Sequence, residues 1–229
     1  VRLLLIRHGE SANNAAYAAT GQRTGRVAEP ELTPLGHRQA TALGAALAAH
    51  GAPGIGPITA LLSSPMLRAV QTAAHLGRAL GLPVALCVEA FESGGVYDLD
   101  HDTGERNAAP SATLAELAAQ CPGLLVPAGT PDPWWSGPHE EAAARLPRAR
   151  RLLDRLSAEH TDATGVVALV AHRHFAQYLI AATLGLPERP AAYLTQANTG
   201  STLLSLGERP AITWSNDLSH LPGEMRSGL

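Results

Sequence analysis

An α/β fold is what this sequence predicts, and three stretches predict it. LLLI (3–6) runs straight into RHGE, ITALL (58–62) into SSPMLR, and GVVALVA (165–171) into HRH, each apolar run being followed at once by polar residues and then by a helical pattern. Strand, loop and helix in recurring order are the grammar of an α/β sheet. One short apolar run fits a strand buried on both faces or a piece of buried helix. The recurrence decides for strand.

The helices are read from their ends. LTPLGHRQATALGAALAAH has Thr33 as a cap and Pro34 at the first helical place, and PMLRAVQTAAHLGRAL is read the same way from Ser64 and Pro65, stopping at Gly81 and Pro83. HEEAAARLPRARRLLDRLSAEH predicts a long amphipathic helix that Pro147 either kinks or starts. VALCV and STLLSL have strand character, and AITW offers a final short strand. From about residue 94 to 137 the chain is rich in Gly, Pro and Asp, and only ATLAELAAQ looks helical. That stretch is expected to be an irregular insertion over the sheet of a single domain covering 1–229.

Composition narrows the function classes. The 17 basic and 20 acidic residues among 229 leave a net charge of −3, so no whole-molecule field draws the chain to nucleic acid or to a membrane surface, and anion binding has to be local. There is no lysine, which excludes a P-loop lysine and a Schiff-base lysine and makes every fixed cation an arginine, whose planar fork suits phosphate or carboxylate. Arg145, Arg148, Arg150, Arg151 and Arg155 share their helix with Glu140, Glu141, Asp154 and Glu159 and read as a solvated face. Cys87 and Cys121 form neither a CxxC nor a ligand-spaced set, as expected for free thiols in a reducing cytoplasm. No run has the length of a membrane span, and LLLI is too short for a signal-peptide core. DLDHDTGE (98–105) departs from a calcium loop at Gly104 and at Ala109 and reads as a solvent loop, so no metal is expected.

In open α/β sheets, ligands bind beyond the carboxyl ends of the strands. The three best strands deliver Arg7 and His8, then Arg68 one turn into the next helix, then His172 to that edge, while Gly9 is expected to let a backbone approach the ligand. Two arginines can clamp a dianion between two imidazoles, and a phosphoryl group is the obvious guest.

RHGES followed by Asn14, then ELTPLGHRQA, SSPMLRAVQTA and VVALVAHRHF, in this order and at these separations, resemble the histidine phosphatase superfamily, also called the phosphoglycerate mutase-like family. The likeness extends to ANTGS and NDLSHL near the end. It implies a three-layer sandwich with a mostly parallel central sheet and helices on both faces. It also implies a cofactor-free, metal-independent phosphomonoester hydrolase, similar to histidine acid phosphatases, that acts on a small phosphorylated molecule through a phosphohistidine. His8 matches the nucleophile, whose other ring nitrogen should donate to a backbone carbonyl. Arg7 and Arg68 match the phosphate-binding arginines, Asn14 a further polar contact, and His172 the second histidine, a donor to the phosphoryl oxygens.

For the acid that protonates the leaving oxygen, PVALCVEAFESGGVY offers Glu89 and Glu92. Spacing from Pro83 and the FES context favour Glu92, whose pKa is expected to be raised by burial or by a neighbouring phosphate. Thr20 and Gly21 fall where relatives touch substrate. Arg173 stands where the family often has glycine, and either adds a third cation or points to water. Trp134 and Trp135 are expected to anchor the insertion rather than wall the site. The alternatives are a phosphoglycerate mutase-type phosphotransferase, whose ERHYG-like segment and surrounding lysines are missing here, and a non-catalytic phospho-ligand-binding relative, although this chain keeps the full RHG and second-histidine set.

Overall fold

A computed structural model describes all of the 229 residues except 23–24, 53–55, 101, 162–164, 190 and 229. A six-stranded sheet runs through it in the order β3-β2-β6-β1-β7-β8. Strands β1 (Arg2–Arg7), β2 (Ile58–Ser63), β3 (Val84–Leu86) and β6 (Val166–Ala171) are mutually parallel, while β7 (Ser201–Ser205) and β8 (Ala211–Asp217) add an antiparallel edge.

The apolar runs are central strands because both faces of the sheet are covered. Leu4, Ile6, Val166, Ala168 and Val170 turn to one side, against Leu43, Leu47, Val70 and Leu76 of α2 (Pro34–His50) and α3 (Leu67–Leu80). Leu3, Leu5, Val167 and Leu169 turn to the other, against Leu152, Leu156, Phe175 and Leu179 of α5 (Ala142–Glu159) and α6 (Arg173–Thr183). Successive side chains of a strand point to opposite faces, so two covered faces require an unbroken apolar run. The result is three layers.

Several local expectations are corrected. Helix α3 starts at Leu67 with Met66 as an uncapped N-cap, so Ser64 is free of that duty and its hydroxyl goes elsewhere. Pro147 does not start α5, which begins five residues earlier; the proline is exposed in the second turn, where only the Ala143 carbonyl loses its intrahelical donor. The strand read over VALCV is three residues long and passes into a 3₁₀ turn, Val88–Ala90.

Helix α1 (Ala12–Thr20) is an element that the sequence reading did not list; Ser11 and Asn14 close it with a reciprocal capping box. The insertion holds, besides α4 (Leu114–Gln120), a hairpin of β4 (Tyr97–Leu99) and β5 (Arg106–Ala108). Its turn is organised by Asp100, whose Oδ1 accepts from the backbone N–H groups of Asp102 and Thr103 at 2.9 Å each. No helix of the described residues is long and apolar enough to cross a membrane.

What positions the functional edge is a close passage of two backbones. A Cβ on Gly9 would lie 2.6 Å from the carbonyl oxygen of Gly36 in the first turn of α2, and one on Gly36 would run into the Glu10 carbonyl. Gly9 therefore admits the start of α2. Gly36→Ala should lower the unfolding free energy by ~1–3 kcal/mol or more, as overpacking against rigid backbone does. Gly223→Ala, at a site with no neighbour within 4 Å, should change it by less than about 0.5 kcal/mol. Urea denaturation of the two variants checks the contrast.

Candidate active site

Register brings the strand ends to one edge: Arg7 lies level with Ala171, and Ser63 with Val170. His8 and His172 follow directly, and their rings face each other with centroids 5.2 Å apart at 55°. Arg68 enters from α3, its Nε 3.2 Å from His8 Nε2. All four groups are at most 9 % exposed.

The tautomer of His8 follows from its partners. Nδ1 sits 2.6 Å from the Gly9 carbonyl, which can only accept, so Nδ1 carries the proton. Nε2 then has a lone pair, and it receives the Arg68 Nε–H. Burial, followed by the charge of Arg68, pushes the imidazole well below its ordinary pKa, with His172 and Arg7 acting in the same direction. Burial and then Arg68 do the same to His172. The Nε2 atom of His172 lies 2.7 Å from the Ser64 hydroxyl, which already accepts from the Met66 N–H. With the hydroxyl proton given to Nε2, the ring proton sits on Nδ1, a buried atom with no partner among the described residues.

Arg7 is anchored through Nη1 to the carbonyls of Gln196 (2.6 Å) and Gly228 (3.0 Å), while its buried Nε has no partner among the described residues. Burial, with Arg173 beside it, lowers its pKa to about 10. Arg68 is likewise lowered by burial, and Glu29 and Glu92 are the carboxylates that oppose that effect. Glu29 was not singled out in the sequence; its Oε2 accepts the Leu67 N–H at the start of α3.

Asn14 uses its Oδ1 to accept from Ser11 N–H and from Asn198 Nδ2, which also reaches the His8 carbonyl at 3.1 Å. Thr199 donates its N–H to the Arg7 carbonyl from a left-handed backbone, φ 57°, unusual for a β-branched residue. Thr20 and Gly21 close α1, and among the described residues the bonds of Thr20 stay within 16–22. Arg173 opens α6, with its guanidinium 5.1 Å from the Tyr193 ring centre.

The two acid candidates part company. Glu89 pairs with Arg155 at 2.8 Å. Glu92 points to the N-terminus of α6, accepting from Phe175 N–H (2.8 Å), His174 N–H (3.1 Å) and Ser93 N–H (2.8 Å), with His174 Nδ1 at 3.3 Å. Its charge is felt by Arg7, Arg68 and His172. Burial pushes its pKa up, but the His174 and main-chain bonds outweigh burial and hold it below the usual carboxylate range. Burial alone does not raise the pKa here, because a helix N-terminus favours the charged form.

The glycines after Glu92 are packing positions. Gly94 (φ 99°) leaves room for His139, whose Nε2 would be 2.5 Å from a Cβ there, and Gly95 (φ 75°) lies under the Trp135 indole. Trp134 is buried, and both indoles stack on Phe91 with centroids 6.0 and 4.9 Å away, an anchoring arrangement. Among the described residues no group of three or more His, Cys, Asp or Glu side chains is placed to hold a metal ion.

Residues 3–217 match the family model described as the histidine phosphatase superfamily (branch 1). Among solved structures, a mycobacterial glucosyl-3-phosphoglycerate phosphatase complexed with inorganic phosphate is 26% identical, with 96% of this chain and 99% of that one covered and a TM-score of 0.62. A phosphoserine phosphatase of Entamoeba histolytica in complex with 3-phosphoglyceric acid is 22% identical over 96% and 99%, TM-score 0.62. An ecdysone phosphate phosphatase of Bombix mori in complex with tungstate is 17% identical over 94% and 92%, TM-score 0.67. The last two likenesses speak to the fold alone. No curated protein matches the chain.

Because His8 and His172 are held neutral in the fold, the unfolded chain takes up protons first as pH falls. Their contribution to stability is complete above the unfolded pKa of about 6.5 and is lost as pH drops from there toward the folded values. His75, His139 and His220, also lowered, add to the same slope. Urea denaturation between pH 7 and 5 should show stability falling, and His172→Gln should flatten that slope by up to ~1.4 kcal/mol per pH unit. An unchanged slope would mean that this imidazole accepts a proton in the folded state.

Proposed function

The chain belongs to the histidine phosphatase superfamily (branch 1), and from that premise we propose that it is a phosphatase that hydrolyses a small phosphomonoester through a phosphohistidine on His8. The observation that carries this reading is the lone pair of His8 Nε2, 3.2 Å from Arg68 Nε, facing His172 across a buried cluster of cations. A neutral imidazole is the form that can attack, and buried donors aimed at one place are what a phosphoryl dianion requires.

In the first step a phosphoryl group takes over the Arg68 N–H, and Nε2 attacks phosphorus. The N–P bond forms as the P–O bond to the leaving alcohol breaks, while Glu92 gives its proton to that oxygen. Arg7, Arg68, Asn14 and the Nδ1–H of His172 hold the equatorial oxygens as charge shifts. In the second step water attacks phosphorus and surrenders a proton to the Glu92 carboxylate, and the N–P bond breaks to release inorganic phosphate. Glu92 is a carboxylate while no anion is bound; a phosphoryl group beside it raises its pKa, so Glu92 takes up a proton from solvent or from the substrate monoanion as substrate binds.

Arg173, close enough to Arg7 to lower its pKa, supplies a third cation to an anionic substrate. The assignment of Thr20 and Gly21 as substrate contacts rests on motif position alone. The mycobacterial relative, which bound inorganic phosphate, favours hydrolysis over mutase chemistry, as does the absence of lysine.

Wild-type protein should turn over p-nitrophenyl phosphate equally well with and without EDTA, and His8→Ala should lose at least ~10³-fold, the scale seen when a covalent nucleophile is removed. Mass spectrometry of a base-quenched reaction should find phosphate on His8. With 3-phosphoglycerate, a hydrolase releases inorganic phosphate, whereas a mutase yields an isomer. Phosphate binding without turnover in the wild type would leave a non-catalytic relative. Glu92→Gln should slow alkyl phosphates by ~10²-fold or more and p-nitrophenyl phosphate far less, since that leaving group scarcely needs a proton; the same signature in Glu89→Gln would reassign the acid.

A further inference from the structure

Arg148 does not lie on a solvated face. It is 5 % exposed, with its guanidinium between two aromatic rings, 3.7 Å from the centre of Phe91 and 3.8 Å from that of Phe175. One edge forms a two-point pair with Glu140, Nε to Oε1 at 2.7 Å and Nη2 to Oε2 at 2.8 Å. The other edge donates through Nη1 to the carbonyls of Glu89 (2.6 Å) and Phe91 (3.0 Å). Three of these partners, Phe91, Phe175 and Glu140, bear on Glu92 or its segment. Phe91 precedes it in the chain, and the backbone of Phe175 donates to its Oε1. Glu140 takes hold on the far side, its Oε2 accepting the Gly94 N–H (3.2 Å) and its N–H donating to the Gly94 carbonyl (3.1 Å).

We propose that Arg148 and Glu140 are positioning residues for the leaving-group proton, a buried ion pair that fixes the segment 91–94 so that the Glu92 carboxyl meets the leaving oxygen. This rests on the phosphatase reading above. Neither side chain touches the reacting atoms. The pair spans the acid segment from Phe91 to Gly94 and ties it to α5, while the stacked Phe175 ties it to α6. An arginine is required because lysine offers neither the two-point fork to a carboxylate nor a flat face to stack between rings. A shift of about 1 Å in a group that must sit within hydrogen-bond reach of a departing oxygen costs on the order of 10²-fold. Such a loss falls on the step that needs the proton and spares phosphate binding and nucleophilic attack.

The test uses two substrates and four proteins: wild type, Glu92→Gln, Arg148→Lys and Glu140→Gln, each assayed well below its melting transition with p-nitrophenyl phosphate and with an alkyl phosphate such as β-glycerophosphate. For Arg148→Lys and Glu140→Gln the expected kcat on the alkyl ester falls ~10- to 100-fold. Their kcat on the aryl ester stays within about 3-fold, KM for both esters is little changed, and the bias follows that of Glu92→Gln. A general loosening of the fold would lower both activities together, and equal losses on the two esters overturn the proposal. If Arg148→Lys does not fold, Glu140→Gln decides alone; if neither folds cooperatively, the pair is a determinant of the fold and the proposal falls. If wild type hydrolyses neither ester, the phosphatase reading itself fails, which is a different outcome from a working enzyme whose variants show no leaving-group bias.

Discussion

Like charges are held together where water cannot screen them. Two guanidinium groups and two imidazoles share the carboxyl edge of β1, β2 and β6, and repulsion between charges at the low effective dielectric of a buried site is several times its value in water. The fold meets this in two ways: the imidazoles stay neutral, and the arginines are tied down by carbonyl oxygens, the Met66 sulfur and the fields of Glu29 and Glu92. Such a site is preorganised for an anion, because the donors are already desolvated and aimed before anything binds. Even the unusual backbone of Thr199 serves this edge, since it carries an N–H to the Arg7 carbonyl.

The Glu92 side is built by different means. The parallel strands place the cations by register, whereas the Glu92 carboxylate is placed by an irregular segment with no sheet partner at that point. Its location is determined by the α6 N-terminus, the Phe91–Trp134–Trp135 stack and two glycines whose missing Cβ atoms make room for His139 and Trp135. A carboxylate at a helix N-terminus is favoured by the unpaired N–H groups there. The same interaction that locates the group also opposes its protonation, so its state is coupled to the charge around it.

Much of this was legible in the sequence because it depends on period and order. The alternation of Leu3–Ile6 and Val166–Ala171 between two cores needs only the period of a strand, and the polar residues that end each run had to collect at one edge once the strands were parallel. What was not legible lacks a pattern. Helix α1 has no buried residue and hence no apolar stripe. The β4–β5 hairpin is largely exposed and polar. Ser64 before Pro65 imitates a helix cap, and only the fold shows that His172 claims the hydroxyl. Arg148 is hidden most completely, because an arginine among arginines on an amphipathic helix looks solvated. Its real surroundings, two aromatic rings and Glu140 eight positions earlier, come from three separate elements.

The Gly228 carbonyl grips Arg7 across a sequence separation of 221, and Gln39 reaches the same closing segment at the Met225 carbonyl and the Ser227 hydroxyl. β1 and this latch lie more than two hundred residues apart in the chain. β1 pairs with β6 and β7 only by closing long loops, and the Arg7 fork gains its clasp by closing a longer one. Contacts so distant along the chain form slowly. The rim that carries Arg7 thus depends on closures that come late in folding.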